Sequence, residues 1–493
     1  MSGLEARNEV LPRSSRAPEG ERRPARDSLT GRMGTAELVF TVLAFAAPLA
    51  TVSGLVPLVI SFNGSGAPGA FVAATLLLLF FAAGLAAMSK QIQNPGAFYA
   101  YVTAGLGRPL GLGSALLAIY SYWLIAVASF AFLGSASSRL VAELGGPSIP
   151  WYAFEFVGIL LCGVLGYLNI ELSAKVLVVV MVLEVVIVVI LDVAIAGHGG
   201  AEGLSLEPLS LSAFSSGSVG VAILFGVLSF LGFESTAIYR EEARNPERTI
   251  PRAMYLSVGL IGVFYTVSTL MIMLAYGADR AVAIAGDDPA ALLTGALRQY
   301  LGDVFVDVGA VLLTTSVLAS MVAVQNMLSR YLYSLGHDAV LPARFGSTHP
   351  RHRSPHVASM AVTGALLAGA IPSALSGMDP MSLYGYVAGV GSYSILVLMF
   401  LAVVAVVVYF RRHSATGVSI WQTAVLPTVA ALGLATVVYL ATVNFETLSG
   451  VTGGLAAGLI VLTFLVVVAG VLAALRLRSR GPEVYRRIGC QEL

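Results

Sequence analysis

The sequence predicts an all-α integral membrane protein with twelve transmembrane helices. Three observations carry that prediction. Of 493 residues, 57% are hydrophobic and only 11% are charged, against about 25% charged in soluble domains. The apolar residues gather in runs long enough for a spanning helix, which takes about 20 residues. The basic residues then fall in alternate connecting stretches, as the positive-inside rule requires.

Taken in order, the polar, arginine-rich stretch 1–35 reads as a disordered cytoplasmic tail without the early apolar region of a cleaved signal. The expected spans are 36–62, 66–88, 110–140, 151–169, 172–196, 213–239, 253–276, 302–335, 356–375, 381–410, 420–442 and 449–475. None has the short alternating pattern of a barrel strand, and helices satisfy their own backbone in lipid. The first five spans form one unit (36–199) and the next five a second (200–412). The last two occupy 413–478, and 479–493 is a second cytoplasmic tail. With both termini inside, the outer stretches keep only Arg139, Arg280 and Arg298 of the 28 basic residues. The chain is therefore expected in the inner membrane with the lipid bilayer as its surroundings. No nucleic-acid role is called for, and the oligomeric state stays open.

Two spans look discontinuous. The first contains Pro48, Thr51, Val52, Ser53, Gly54 and Pro57; proline and glycine there loosen the helix. The sixth reads Phe225-Gly226-Val227-Leu228-Ser229-Phe230-Leu231-Gly232-Phe233-Glu234-Ser235, with a carboxylate at membrane depth. Interrupted helices opening each half point to an inverted repeat with a binding site at the midplane. The plainer alternative is that Gly and Pro are common in membrane helices. An unwound segment offers N–H groups to a carboxylate and carbonyls to an ammonium, so a zwitterion fits between the two.

Three stretches carry a family resemblance. Residues 225–253 contain Gly232-Phe233-Glu234, Glu241-Glu242, Asn245-Pro246 and Ile250-Pro251-Arg252-Ala253; they are joined by 94–113 and 326–355. In this order and spacing they resemble the amino acid–polyamine–organocation (APC) permease superfamily over about 36–410. The resemblance implies a LeuT-like fold of five plus five helices with two extra, discontinuous helices 1 and 6, and alternating access. It also implies amino acids, polyamines or related amines as substrates. The expected function is thus a secondary active transporter of amino acids, proton-coupled, with a polyamine or amine carrier or an amino-acid exchanger as the alternative. In one respect the chain departs from the family: Val52-Ser53-Gly54 lacks the first glycine of the usual Gly-Ser-Gly, and a β-branched side chain stands where close backbone approach needs none.

Thr51, Val52, Ser53, Gly54, Phe230, Gly232 and Glu234 are the candidate substrate site. A charge at the bilayer centre costs about 2.5 kcal/mol or more, so Glu234 needs a reason. It either faces the cavity, binding an ammonium or carrying a proton, or it bonds a neighbouring helix and locks the break. Glu184 lies nine residues beyond Lys175, roughly 13 Å inward. A titratable group there could replace a sodium ion in linking spans one, five and eight; a helix-packing hydrogen bond is the other reading. Thr314, Thr315 and Ser316 argue for sodium instead, although membrane hydroxyls usually bond their own backbone. Glu241 or Glu242 is expected to pair with Arg330 and close the inner gate. Of the aromatics Phe230, Phe233, Tyr122, Trp123 and Tyr384, Phe230 is the one expected to cover the substrate. No metal, cofactor or enzymatic role is expected: the histidines lie in loops or near span ends, and there is neither a nucleophile motif nor a phosphate loop.

Overall fold

A computed structural model of the protein describes residues 33–92, 96–143, 145–168, 170–352, 354–413 and 418–489, without the side chains at 97, 143, 170–177 and 241. Residues 1–32 of the expected tail 1–35, Arg353, Cys490 and the side chains of Lys175 and Glu241 lie outside the described residues.

The described residues are helical, in the order α1 (Thr35–Ala46), α2 (Pro48–Asn63), α3 (Ala67–Gln91), α4 (Ala97–Leu106), α5 (Arg108–Glu143), α6 (Trp151–Leu168) and α7 (Ile170–His198). Next come α8 (Leu211–Ser215), α9 (Val219–Leu228), α10 (Pro246–Tyr276), α11 (Ala278–Asp287), α12 (Pro289–Leu301), α13 (Asp303–His337) and α14 (His356–Leu375). The series ends with α15 (Pro380–Arg412), α16 (Leu426–Val443), α17 (Phe445–Ser449), α18 (Gly453–Arg480) and α19 (Pro482–Arg487). Among them, 11 helical segments are long and apolar enough to cross a membrane. The expected count of twelve differs for a physical reason. A left-handed residue at Ala47 leaves α1 too short to span alone. The 3₁₀ turn Gly64–Gly66 then joins α2 and α3 into one helical run, Pro48–Gln91.

The bundle centre is built from α1, α7, α10 and α13, with α5 crossing behind α13 and packing against α15, α18 and α6. Leu38 of α1, Glu184 of α7, Tyr265 of α10 and Ser316 of α13 are buried there, whereas α18 leaves Leu455, Val461, Phe464, Leu465, Val468 and Leu472 exposed. An apolar exposed face is what a helix in contact with lipid needs. The segment between α10 and α13, read from sequence as a connection, is instead the pair α11 and α12, whose buried Ala281, Ala285, Leu292 and Leu293 seat them on the bundle.

One end of the bundle is clasped by both ends of the described chain. Met33 N–H donates to Glu242 O (2.8 Å) and Arg244 N–H to Met33 O (2.9 Å). Beside this, Ile488 is fully buried, and Gly489 N–H donates to Asp338 Oδ2 (3.0 Å) and Tyr99 OH (2.7 Å), while Tyr99 donates to the same carboxylate. Arg108 Nη2 holds the Arg486 carbonyl at 3.2 Å.

Candidate functional site

Two interrupted helices meet at the centre. The first break falls at Ala47 (φ 44, ψ 70), between α1 and α2. Proline disfavours the helical conformation in the residue before it and is at ease in a helix's first turn. Pro48 therefore ends α1 and starts α2. The break lies upstream of Val52-Ser53-Gly54, which are helical within α2: Val52 is buried, Ser53 half-buried and Gly54 exposed. The carbonyls freed at the end of α1 are taken by side chains. Ser320 of α13 donates to Phe45 O (2.8 Å), and Thr51 (2.9 Å) and Tyr265 (3.4 Å) donate to Ala46 O.

The second break follows α9. Gly232 adopts φ 109, and a Cβ there would run into the Phe45 ring at the end of α1. The two breaks therefore lie back to back, and only glycine fits both the backbone and the space. Gly232→Ala is expected to destabilise the protein by about 2–4 kcal/mol, combining left-handed strain with overpacking. A thermal melt of the detergent-purified variant measures this. An unchanged midpoint would mean that Phe45 steps aside freely.

This turn also fixes Glu234. Its Oε2 accepts from Gly232 N–H (2.9 Å) and its Oε1 from Tyr122 OH of α5 (2.5 Å). The side chain is buried and does not line the cavity described below. Its two bonds join the break to α5. Phe230 is likewise buried beneath the cavity, edge-on to Tyr265. Glu184 of α7, also buried, accepts Ser316 OH of α13 (2.5 Å) and Leu49 N–H in the first turn of α2 (3.4 Å), all at Oε2. It thus ties α7 and α13 to the first break. Thr314 and Thr315 bond carbonyls of their own helix.

Above the breaks is a cavity of about 510 Å³. Its floor is buried and includes Thr51, Ser229, Ser320 and Val324; its rim, at Arg139, Ala290, Thr294 and Met381, is exposed. It therefore opens at one end only. Ala50, at the N-terminal end of α2, lines the floor, and its N–H has no bonded acceptor among the described residues. Ser229 and Leu231, at the second break, line it too, with carbonyls that receive no donor there. Tyr384 lines the wall against Phe132, and Trp123 lies elsewhere, donating to Ala365 O.

The opposite end is shut. Arg330 donates Nε to Glu242 Oε1 (2.8 Å) and Nη2 to Oε2 (3.0 Å), a bidentate pair, while Nη1 holds Asn326 O. The guanidinium lies 4.2 Å from the Tyr239 ring centre. Both side chains are buried. Nearby Arg240 donates to Ser89 O at 2.6 Å. Sequence reasoning singled out Glu242, Arg330, Glu184, Glu234 and Gly232. It passed over Tyr122 as a bonding partner, and it passed over Ala50, Ser320 and Tyr265 altogether. Their signal was weak, because a single hydroxyl or alanine in a span looks like packing.

A lipid-faced helical bundle, shut at one end and open at the other around two helix breaks, is built as a membrane transporter. The amino acid permease family profile matches residues 36–477, and the chain belongs to that family. It is similar to the branched-chain amino acid permease BcaP of Bacillus subtilis, 25% identical over 69% of this chain and 73% of that protein. It is also similar to the low-affinity putrescine importer PlaP of Escherichia coli, 24% identical over 64% and 70%. A third relative is the histidine permease HisP of Lactococcus lactis, 27% identical over 60% and 64%.

Proposed function

We propose that the protein is a secondary transporter of the inner membrane that carries amino acids by alternating access, with a proton as the coupling ion. Counting α1 with α2, and α9 with the turns that follow it, as one broken span each makes twelve spans. That count fits a LeuT-like five-plus-five repeat followed by α16 and α18. The distribution of arginines supports both termini on the cytoplasmic side. In that orientation the cavity faces outward, and the Glu242–Arg330 pair is the closed cytoplasmic gate.

Two features support a zwitterionic substrate. The Ala50 N–H at the positive end of α2 suits a carboxylate, and the Ser229 and Leu231 carbonyls suit an ammonium. Neither asks for a glycine at Val52.

The observation that carries proton coupling is the pair of donors on Glu184. An ionised carboxylate accepts both the Ser316 O–H and the Leu49 N–H. Once protonated it has a hydrogen of its own to donate, and the tie between α13 and the first break weakens. Protonation and the position of α2 are then coupled. Thr314 and Thr315 spend their hydrogens on carbonyls of their own helix, the ordinary habit of membrane hydroxyls, and lend sodium no specific support. The amine-carrier reading keeps its footing through the similarity to PlaP.

The test is uptake of labelled amino acids and putrescine into proteoliposomes, with an inward proton gradient, an inward sodium gradient, or neither. Amino-acid accumulation driven by the proton gradient alone is the expected result. Accumulation driven only by sodium would sink the coupling proposal.

A further inference from the structure

The cavity lining has one charged side chain, Arg139, and no carboxylate among the described residues. Arg139 stands exposed at the rim, one turn beyond Ser135 on α5, to which its Nη2 donates at 3.1 Å. The exposed Asp287 and Asp288 precede the rim residues Pro289 and Ala290 without lining the cavity, and two buried carboxylates are occupied below the floor. Glu234 is closed off by Tyr122 and Gly232, and Glu184 by Ser316 and Leu49. The carbonyls of Phe45 and Ala46 beside the cavity are taken by Ser320, Thr51 and Tyr265. What a solute meets on entering is therefore a cation at the mouth and the positive end of α2 at the floor. Between these it meets an apolar wall that includes Leu55, Leu58, Ile125, Phe132, Leu140 and Met321.

Resting on the transporter reading above, we infer that Arg139 is a selectivity residue at the cavity mouth, restricting the substrate to carboxylate-bearing amino acids with uncharged, apolar side chains. A zwitterion turns its carboxylate toward the positive end and finds acceptors for a single ammonium at Ser229 and Leu231. A diamine brings a second ammonium, which has only Arg139 or the α2 terminus to face. A cationic amino acid meets the same repulsion, because its side-chain ammonium would lie against an uncharged wall. Charge at an exposed mouth acts mainly on encounter and is screened by salt over about 8 Å at physiological ionic strength. The effect of Arg139 thus belongs in KM and in its salt dependence rather than in kcat.

The full-length protein is reconstituted, and uptake of labelled leucine, lysine and putrescine is measured at low and high salt for wild type, Arg139→Gln and Arg139→Glu. Binding is read in parallel as thermal stabilisation of the purified protein by leucine or putrescine. Wild type is expected to take up leucine and to ignore excess putrescine. Arg139→Gln raises the leucine KM roughly threefold to tenfold at low salt, with kcat kept and the salt dependence lost. Arg139→Glu lets putrescine compete. Retention of the wild-type leucine KM and salt dependence by both variants overturns the inference and leaves the transporter reading standing. So does putrescine that displaces leucine from, or stabilises more strongly, the wild-type protein. Absence of uptake and of stabilisation with every solute overturns both.

Discussion

Replacing Glu184 by glutamine is expected to leave exchange of amino acid across the membrane intact and to abolish uphill accumulation. Glutamine keeps the shape, and its Oε1 still accepts from Ser316, so α7 stays attached to α13. What it lacks is a proton to take up and release. A gradient of one pH unit is about 1.36 kcal/mol, enough for about tenfold accumulation at one proton per substrate. The variant should fall to a ratio of about one while counterflow of labelled substrate continues. Counterflow and gradient-driven uptake in the same proteoliposomes separate the two. Persistent accumulation by Glu184→Gln would move the coupling site elsewhere. Loss of counterflow as well would mean that the Leu49 bond, which an amide accepts more weakly than a carboxylate, is needed for folding or binding.

The second large effect is expected at the proposed cytoplasmic gate. Glu242 and Arg330 are both buried and bonded at two points. Removing one partner from such a pair leaves an uncompensated buried charge, at about 3–5 kcal/mol. Glu242→Gln and Arg330→Gln should each lose transport and melt well below wild type. The double variant should recover much of the stability, because two neutral amides need no charge compensation. Arg330→Lys should not rescue function, since an ammonium offers neither the fork that grips both Glu242 oxygens nor the flat face that lies over Tyr239. A double-mutant cycle in melting temperature reads the coupling directly. Additive effects would show that the two residues act separately.

The helical architecture was legible in the sequence because the hydrophobic runs and the arginine pattern are long-range signals, insensitive to any one residue. The elements that escaped were those whose cause is local or tertiary. Ala47 carries no sign of being left-handed; the only hint is Pro48 behind it. α11 and α12 are amphipathic and short, so they read as a connection until their buried faces were seen against α2 and α13. In the site, buried carboxylates announce themselves by their cost, and so Glu184 and Glu234 stood out. Which hydroxyl each would meet did not. Tyr122 is 112 positions from Glu234, and Ser316 is 132 from Glu184. No periodicity links such pairs; packing alone brings them together. Of the first-break residues, Thr51, Ser53 and Gly54 line the cavity and Val52 is buried beside it. The backbone opens before Val52, at Ala47, which Val52-Ser53-Gly54 did not announce.

The clasp at the shut end has a consequence for how the protein is made. Gly489 bonds Tyr99, which lies 390 positions earlier, and Met33 is joined to the 242–244 turn. The helices around the cavity all leave the ribosome before the residues that complete this end. During synthesis the Glu242–Arg330 pair and the Met33 bonds can therefore form before the Gly489 joint, and a chain cut short after α18 would lack that joint. A tag fused directly after Gly489 would press on the same joint.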